Sequence, residues 1–86
     1  MKTLTTVDVR ATPPMHRFDT IMSAYEALPE GEAMHLIVDH DPKCMYYTLQ
    51  ALRGDETFDF EYVEDGPIDW QVIVTKRAVD DQLKQG

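Results

Sequence analysis

One short stretch of the sequence gathers most of the side chains that could do chemistry. In VDHDPKCMYYTLQ, residues 38–50, His40 lies between Asp39 and Asp41, and the only cysteine of the chain, Cys44, follows four residues after the histidine. Histidine beside carboxylate is a common proton-transfer or metal-binding pair. A cysteine thiolate is a nucleophile. The stretch therefore predicts either a reactive site or only the junction between a strand and a helix.

Helix capping is the plainer explanation of this motif. Asp41 is a preferred N-cap residue, and Pro42 suits the first helical position. In an extended strand Asp39 and Asp41 point away from His40, so the three side chains converge only if the chain bends there. Cys44 would lie in the first turn, where the helix dipole lowers a thiol pKa but the nearby acids oppose that effect. Because free cysteine is usually buried, we expect a buried or half-buried thiol in crowded surroundings rather than a reactive one.

A second group of polar residues surrounds the proline pair before the first helix. Arg10 precedes Pro13-Pro14, and His16 and Arg17 follow it. Ligands of α/β sheets tend to bind beyond the carboxyl ends of strands, and helix N-termini attract anions. The predicted site for a small anion or metal therefore comprises Arg10, His16, Arg17, His40, Asp41 and Cys44. The histidines lack the close spacing typical of zinc ligands, so the sequence leaves a metal undecided and predicts no cofactor.

The first half of the chain predicts a strand, a helix and a second strand. Residues 2–9 are rich in β-branched side chains, which favours a strand. The proline pair then opens a helix that ends at residues 28–31 with proline and glycine. Residues 32–40 alternate in polarity and form an inner strand. The apolar face of the helix is spaced at i, i+3, i+4, i+7 and i+10 and consists of Phe18, Ile21, Met22, Tyr25 and Leu28.

The second half predicts a helix followed by a hairpin. Met45, Leu49 and Leu52 form the buried stripe of the helix, which Gly54 ends. Residues 57–63 alternate strictly and predict a strand with its aromatic residues on one face. A turn at residues 64–67 leads to the return strand, because Asp-Gly is a strong hairpin signal. The inward face of the return strand consists of Ile68, Trp70, Val72 and Val74.

These elements predict an α/β (α+β) two-layer sandwich in the order β-α-β-α-β-β. Both helices lie on one face of a four-stranded mixed sheet, because a crossover between parallel strands places its helix on one face. We expect one domain over residues 1–76 and a polar C-terminal tail at residues 77–86, either frayed or a short helix. The other face of the sheet stays partly open. It carries threonine and acids with Ile37, Val63 and Ile73, and suits a protein partner better than a small molecule.

Composition and charge narrow the classes of function. The 86 residues, 43% of them hydrophobic, suffice for one small core. Eight basic against sixteen acidic residues give a formal net charge of −8, which argues against nucleic-acid and anionic membrane partners. A single cysteine fits a reducing compartment, and neither a secretory signal nor a membrane span is evident. We therefore expect a cytoplasmic protein, and the sequence leaves its oligomeric state open.

Several short motifs, taken in their order and spacing, resemble a known family. They are Asp8-Val9-Arg10, Pro13-Pro14, Leu28-Pro29-Glu30-Gly31-Glu32 and Asp39-His40-Asp41-Pro42. With the predicted element order they resemble the TusA-like (SirA-like) sulfur-carrier fold. The closer resemblance is to its cysteine-less relatives, the domain-of-unknown-function family 2249. The resemblance extends over nearly the whole chain to about residue 76.

The resemblance implies the scaffold and not the sulfur chemistry. Sulfur carriers of this fold hold a Cys-Pro-x-Pro motif at the start of the first helix, and in alignment from Asp8 its cysteine falls on Pro14. No catalytic residue is predicted, since no nucleophile triad, phosphate loop or paired-carboxylate signature stands out. We predict a non-catalytic accessory or protein-binding module. The alternatives are a thiol or sulfur carrier using Cys44, and a small-ligand or metal-binding module at the His16/His40 end.

Overall fold

A computed structural model describes residues 4–77, and its six elements confirm the predicted order. The elements are β1 (Leu4–Asp8), α1 (Pro14–Ala27), β2 (Ala33–Val38), α2 (Lys43–Arg53), β3 (Phe58–Asp65) and β4 (Trp70–Lys76). Apart from Arg77, the predicted C-terminal tail lies outside the described residues. Neither helix is long and apolar enough to cross a membrane, within the part of the chain that is described.

The four strands form one mixed sheet in the order β1-β2-β4-β3. β1 pairs with β2 in parallel, while β4 pairs antiparallel with both β2 and β3. α1 and α2 cover the same face, so the predicted two-layer architecture is confirmed. This order places β3 at one edge of the sheet, where β4 is its one partner among the described strands.

The core lies between this sheet and the two helices. From the sheet, Met34, Leu36, Val72 and Val74 are all 0% exposed. The helices supply Ile21, Tyr25, Met45 and Leu49, which are likewise buried. Because side chains alternate along a strand, the residues between these positions point to the other face of the sheet.

Three apolar residues that the spacing assigned to buried faces are exposed, so those predictions were wrong. Phe18 and Leu52 are 46% and 52% exposed. Both line a shallow groove between α1 and α2, because the sheet-facing positions of the helices are already occupied by neighbouring side chains. Ile68 is 78% exposed because it lies in the loop between β3 and β4, before the return strand begins.

The hairpin turn lies two residues later than predicted. β3 continues through Asp65 with a bulge between Tyr62 and Glu64, and residues 66–69 form the loop. Gly66 has a φ of +87°, and a Cβ atom there would lie 2.6 Å from Cζ2 of Trp70. Both the backbone conformation and the contact with the indole ring therefore require glycine at this position.

Candidate functional site

The second helix begins one residue later than predicted, but Asp41 still accepts a hydrogen bond from the first helical residue. Lys43 is the first helical residue, and Pro42 occupies the cap position. Asp41 Oδ1 accepts a hydrogen bond from the Lys43 backbone N–H at 3.1 Å, which satisfies one free donor of the helix end. The same oxygen accepts the Tyr62 hydroxyl at 2.6 Å. Asp41 therefore connects the start of α2 to β3.

Arg17 holds the end of β2 against the loop before α1. Its guanidinium donates two hydrogen bonds to the Asp39 carboxylate, at 2.8 and 3.3 Å. It also donates to the backbone oxygens of Thr12 at 2.8 Å and Arg10 at 3.1 Å. The Arg17 guanidinium, and to a lesser degree His40, lowers the pKa of Asp39 to about 2. With four acceptors inside the protein, Arg17 is a structural clamp with little capacity left for an external anion.

His40 does converge with one of its acidic neighbours, because the chain bends directly after β2. Its Nδ1 lies 3.0 Å from Asp39 Oδ1, while Asp41 turns away to Lys43 and Tyr62. When Nδ1 carries the proton it donates to Asp39, and Nε2 is left as an acceptor. The His40 side chain is 67% exposed, so this second nitrogen is open to solvent.

A cleft of about 160 Å³ lies between the start of α2 and the first turns of α1, and we call it the helix-start cleft. Its polar lining consists of Arg17, His40, Asp41, Cys44 and Thr48. Its apolar walls are Phe18, Ile21, Val38 and Met45, with Pro42 beside them. The structure thus brings together four of the six residues predicted as a ligand site.

Cys44 is exposed, so the expected buried or half-buried thiol was wrong. Successive residues of a helix differ by about 100° in direction. Met45 and Leu49 take the positions that face the sheet, and both are buried. Cys44 is therefore turned toward the helix-start cleft and solvent, together with His40.

The other two predicted site residues lie outside this cleft. Arg10 forms ion pairs with Asp8 at 2.7 Å and with Asp69 at 3.2 Å. The hydrogen bonds from Arg10 lower the pKa of Asp8 to about 2. His16 is exposed on the first turn of α1 and does not line the cleft. Within residues 4–77, no group of three or more histidine, cysteine or acidic side chains is arranged to hold a metal ion.

A second concave surface, the aromatic groove, lies between α2 and β3. It has a volume of about 360 Å³ and is lined by Lys43, Tyr46, Tyr47, Phe60 and Tyr62. The Tyr46 ring packs edge-on against Tyr47 and Phe60, with centroids 5.3 and 5.4 Å apart. Tyr47 and Tyr62 are 59% and 40% exposed. Strand alternation indicated the face of Phe60 and Tyr62 but not their contact with the helix.

The face of the sheet opposite the helices, the open sheet face, is covered by no element among residues 4–77. Its central row, read across the register, is Thr6, His35, Ile73 and Glu61. The next row is Asp8, Ile37, Gln71 and Glu64. His35 Nε2 lies 2.6 Å from Gln71 Oε1, which fixes the polar pair at the centre. Half-buried isoleucines and exposed acids therefore form one continuous surface.

Comparison with protein families confirms the resemblance to the domain-of-unknown-function family 2249. The model of the family described as uncharacterized conserved protein (DUF2249) matches residues 6–76. This range includes every helix and strand apart from the first residues of β1. The comparisons gave no support to the broader likeness to sulfur carriers, which stays a prediction. Neither curated proteins nor solved structures gave a match. The chain belongs to the DUF2249 family of uncharacterized conserved proteins.

Proposed function

We propose that the chain is a small cytoplasmic accessory module that binds a basic protein partner through its open sheet face and carries out no sulfur transfer. The observation that supports this proposal best is the exposure of that face. Four sheet positions there, Leu4, Ile37, Val63 and Ile73, are apolar and exposed or half-buried. An apolar surface with a polar rim on a small protein is typical of an interaction site.

The charge of the same face indicates the sign of the partner. Glu61 and Glu64 lie on it and form no ion pair within residues 4–77. The formal net charge of the whole chain is −8. Unpaired acids beside an apolar centre attract Lys and Arg of a partner and repel phosphate backbones. A basic protein surface fits this arrangement, and a nucleic acid does not.

Charge reversal on the open sheet face tests the proposal. The tagged protein and the Glu61→Lys/Glu64→Lys variant are used to capture and cross-link partners from the native cells. The control is Asp19→Lys/Glu30→Lys, which makes the same change of charge on α1 and in the turn after it. We expect the face variant to retain at least tenfold less of a basic partner, while the control retains it. Equal capture by both variants would contradict the proposal.

A thiol carrier or small-ligand module at the helix-start cleft is a second candidate, because Cys44 and His40 line the same open cleft. As a carrier, the Cys44 thiolate would attack the outer sulfur of a donor persulfide and release the donor thiolate. The thiol would then hold the sulfur as a persulfide. His40 and Asp41 would orient a small ligand in the same space.

Cys44→Ser separates the two candidates. A protein-binding module keeps its partner in this variant, whereas a carrier loses its activity. Thiol labelling of the native protein against pH supplies a further readout, since a carrier needs rapid labelling and a lowered pKa. For a ligand module, uptake of Zn²⁺ or phosphate is measured in His40→Ala and in His16→Ala, whose side chain lies outside the cleft. Joint loss in the two variants would extend the site to the first turn of α1. Loss with His40→Ala alone would confine the site to the helix-start cleft.

A further inference from the structure

We propose that the partner docks as an added strand on the outer edge of β3, through an extended segment that alternates basic and apolar residues. This inference rests on the proposed function and names the chemistry of its partner. Addition of a strand to a sheet edge is a general mode of peptide recognition. Main-chain hydrogen bonds supply affinity, and alternate side chains supply specificity.

The outer edge of β3 is long enough for such pairing. β3 spans Phe58–Asp65 and, within residues 4–77, pairs only with β4, so alternate N–H and C=O groups point away from the sheet. The bulge begins after Tyr62, so residues 58–62 form a regular run of five residues. Protein edges are often protected by bulges, and here the bulge protects only the far end.

On the helix side, an added strand would meet the aromatic groove. Phe60 and Tyr62 point to this side of β3, and Tyr46 and Tyr47 of α2 extend the surface beyond the strand. Side chains of the added strand that face this way would rest on exposed aromatic rings. Lys43 lines the same groove, so the segment should be apolar or aromatic at these positions rather than basic.

On the other side, an added strand would meet acids. Asp59, Glu61 and Glu64 lie on the open face of β3, and Arg77 pairs with Asp59. Cross-strand neighbours on one face lie about 5 Å apart, so opposite charges there stabilise the pair and like charges destabilise it. The two faces together therefore select a segment with Lys or Arg at every second residue and apolar side chains between.

A second copy of this chain is a poor occupant of the same edge. Two β3 edges brought together would place Glu61 and Glu64 beside the acids of the other copy. Like charges opposite each other on neighbouring strands are destabilising. The charge pattern of the edge thus disfavours self-association and favours a basic segment.

Two peptides of equal composition test the proposal on the intact chain. The first alternates lysine and valine over eight residues, and the second has four valines followed by four lysines. Fluorescence anisotropy measures binding, and amide hydrogen exchange by NMR locates it. We expect the alternating peptide to bind at least tenfold more tightly and to slow exchange of the outward amides in residues 58–62. Tyr47→Ser should weaken binding severalfold, whereas Met15→Ser, at a still more exposed apolar residue of α1, should not.

Three results would overturn strand addition. They are equal binding of the two peptides, unchanged exchange at β3 under saturating peptide, and protection of β3 that depends on protein concentration alone. The third result would identify a second copy as the occupant. If partner capture still depends on Glu61 and Glu64 while β3 exchange is unchanged, the proposed function stands and only the edge docking fails.

Discussion

Tyr62 on the edge strand donates its hydroxyl to the carboxylate of Asp41, 21 residues earlier in the chain, at 2.6 Å. This bond joins the start of α2 to β3, and Asp41 also accepts the Lys43 backbone N–H. The Asp41 carboxylate thus supports both the helix-start cleft and one wall of the aromatic groove. Asp41 lines the helix-start cleft and Tyr62 lines the aromatic groove, so the hydrogen bond between them links the two surfaces, whichever of them binds a ligand.

Removal of the Tyr62 hydroxyl should lower the free energy of unfolding. Tyr62→Phe leaves the ring in place and deletes one hydrogen bond to a charged acceptor, which we expect to cost about 1 kcal/mol at this partly exposed position. Burial, followed by the bond to Asp41, raises the pKa of Tyr62 to about 12. The difference between wild type and Tyr62→Phe should therefore persist to pH 10 and close as the pH rises through 12. Urea unfolding at several pH values measures this difference in the free energy of unfolding. A difference that stays constant to pH 12 would contradict the hydrogen bond from Tyr62 to Asp41.

Acid should weaken the clamp between Arg17 and Asp39. The pKa of Asp39 lies at about 2 against an ordinary value of 3.8. A lowered folded-state pKa contributes stability that is present above pH 3.8 and is lost as the pH falls toward 2. In urea unfolding between pH 5 and pH 2, wild type should therefore lose more stability than Asp39→Asn. If the free energy of unfolding falls equally with pH in the two proteins, the pair of Arg17 and Asp39 contributes nothing to stability.

The two leucines of α2 should differ sharply in what they contribute. Leu49 is 0% exposed and Leu52 is 52% exposed. Leu49→Ala leaves a cavity in the core and should cost about 3 kcal/mol, whereas Leu52→Ala should cost less than about 1 kcal/mol. Denaturant midpoints of the two variants give the comparison. A similar loss in both would place Leu52 in the core, as its spacing predicted.

Substitutions at two glycines should distinguish the cost of backbone strain from the cost of a steric contact. Gly31 and Gly66 have φ values of +89° and +87°, but only a Cβ atom at residue 66 would meet another group within 3 Å. Gly31→Ala should cost about 1–2 kcal/mol for the left-handed backbone alone. Gly66→Ala should cost more, because the new methyl group displaces Trp70. Thermal unfolding of both variants, with Trp70 fluorescence as a second probe, checks the order; equal losses would mean that the indole moves freely.

Local signals predicted the elements well and the orientation of single side chains less well. The proline pair at residues 13 and 14 and Gly54 marked helix ends that the structure confirms. Cys44 and Met45 are adjacent sulfur-containing residues, and burial preference alone does not say which of them faces the sheet. The apolar spacing that ended at Leu52 predicted a buried side chain. It did not show that Leu52 would lie in the groove between the helices instead of facing the sheet.

The candidate site was predictable only in part, because its contacts cross the chain. That His40 and Cys44 meet at one cleft followed from both lying near the start of α2. The attachment of Arg17 to Asp39 joins residues 22 positions apart, and the aromatic groove joins α2 to β3. Such contacts depend on the strand order, and no local pattern in the sequence specifies it.

The position of β4 has a consequence for how the chain is made. Among the described residues it is the last strand in sequence, yet it lies between β2 and β3 and is the only strand there that pairs with β3. A chain emerging from the ribosome can therefore form the β1–β2 pair early, but β3 must wait for the residues from Trp70 onward. Until those residues have left the ribosome, only the β1–β2 pair of the described sheet can form. A chain truncated before residue 70 would keep that one pair and could form neither of the pairs with β4.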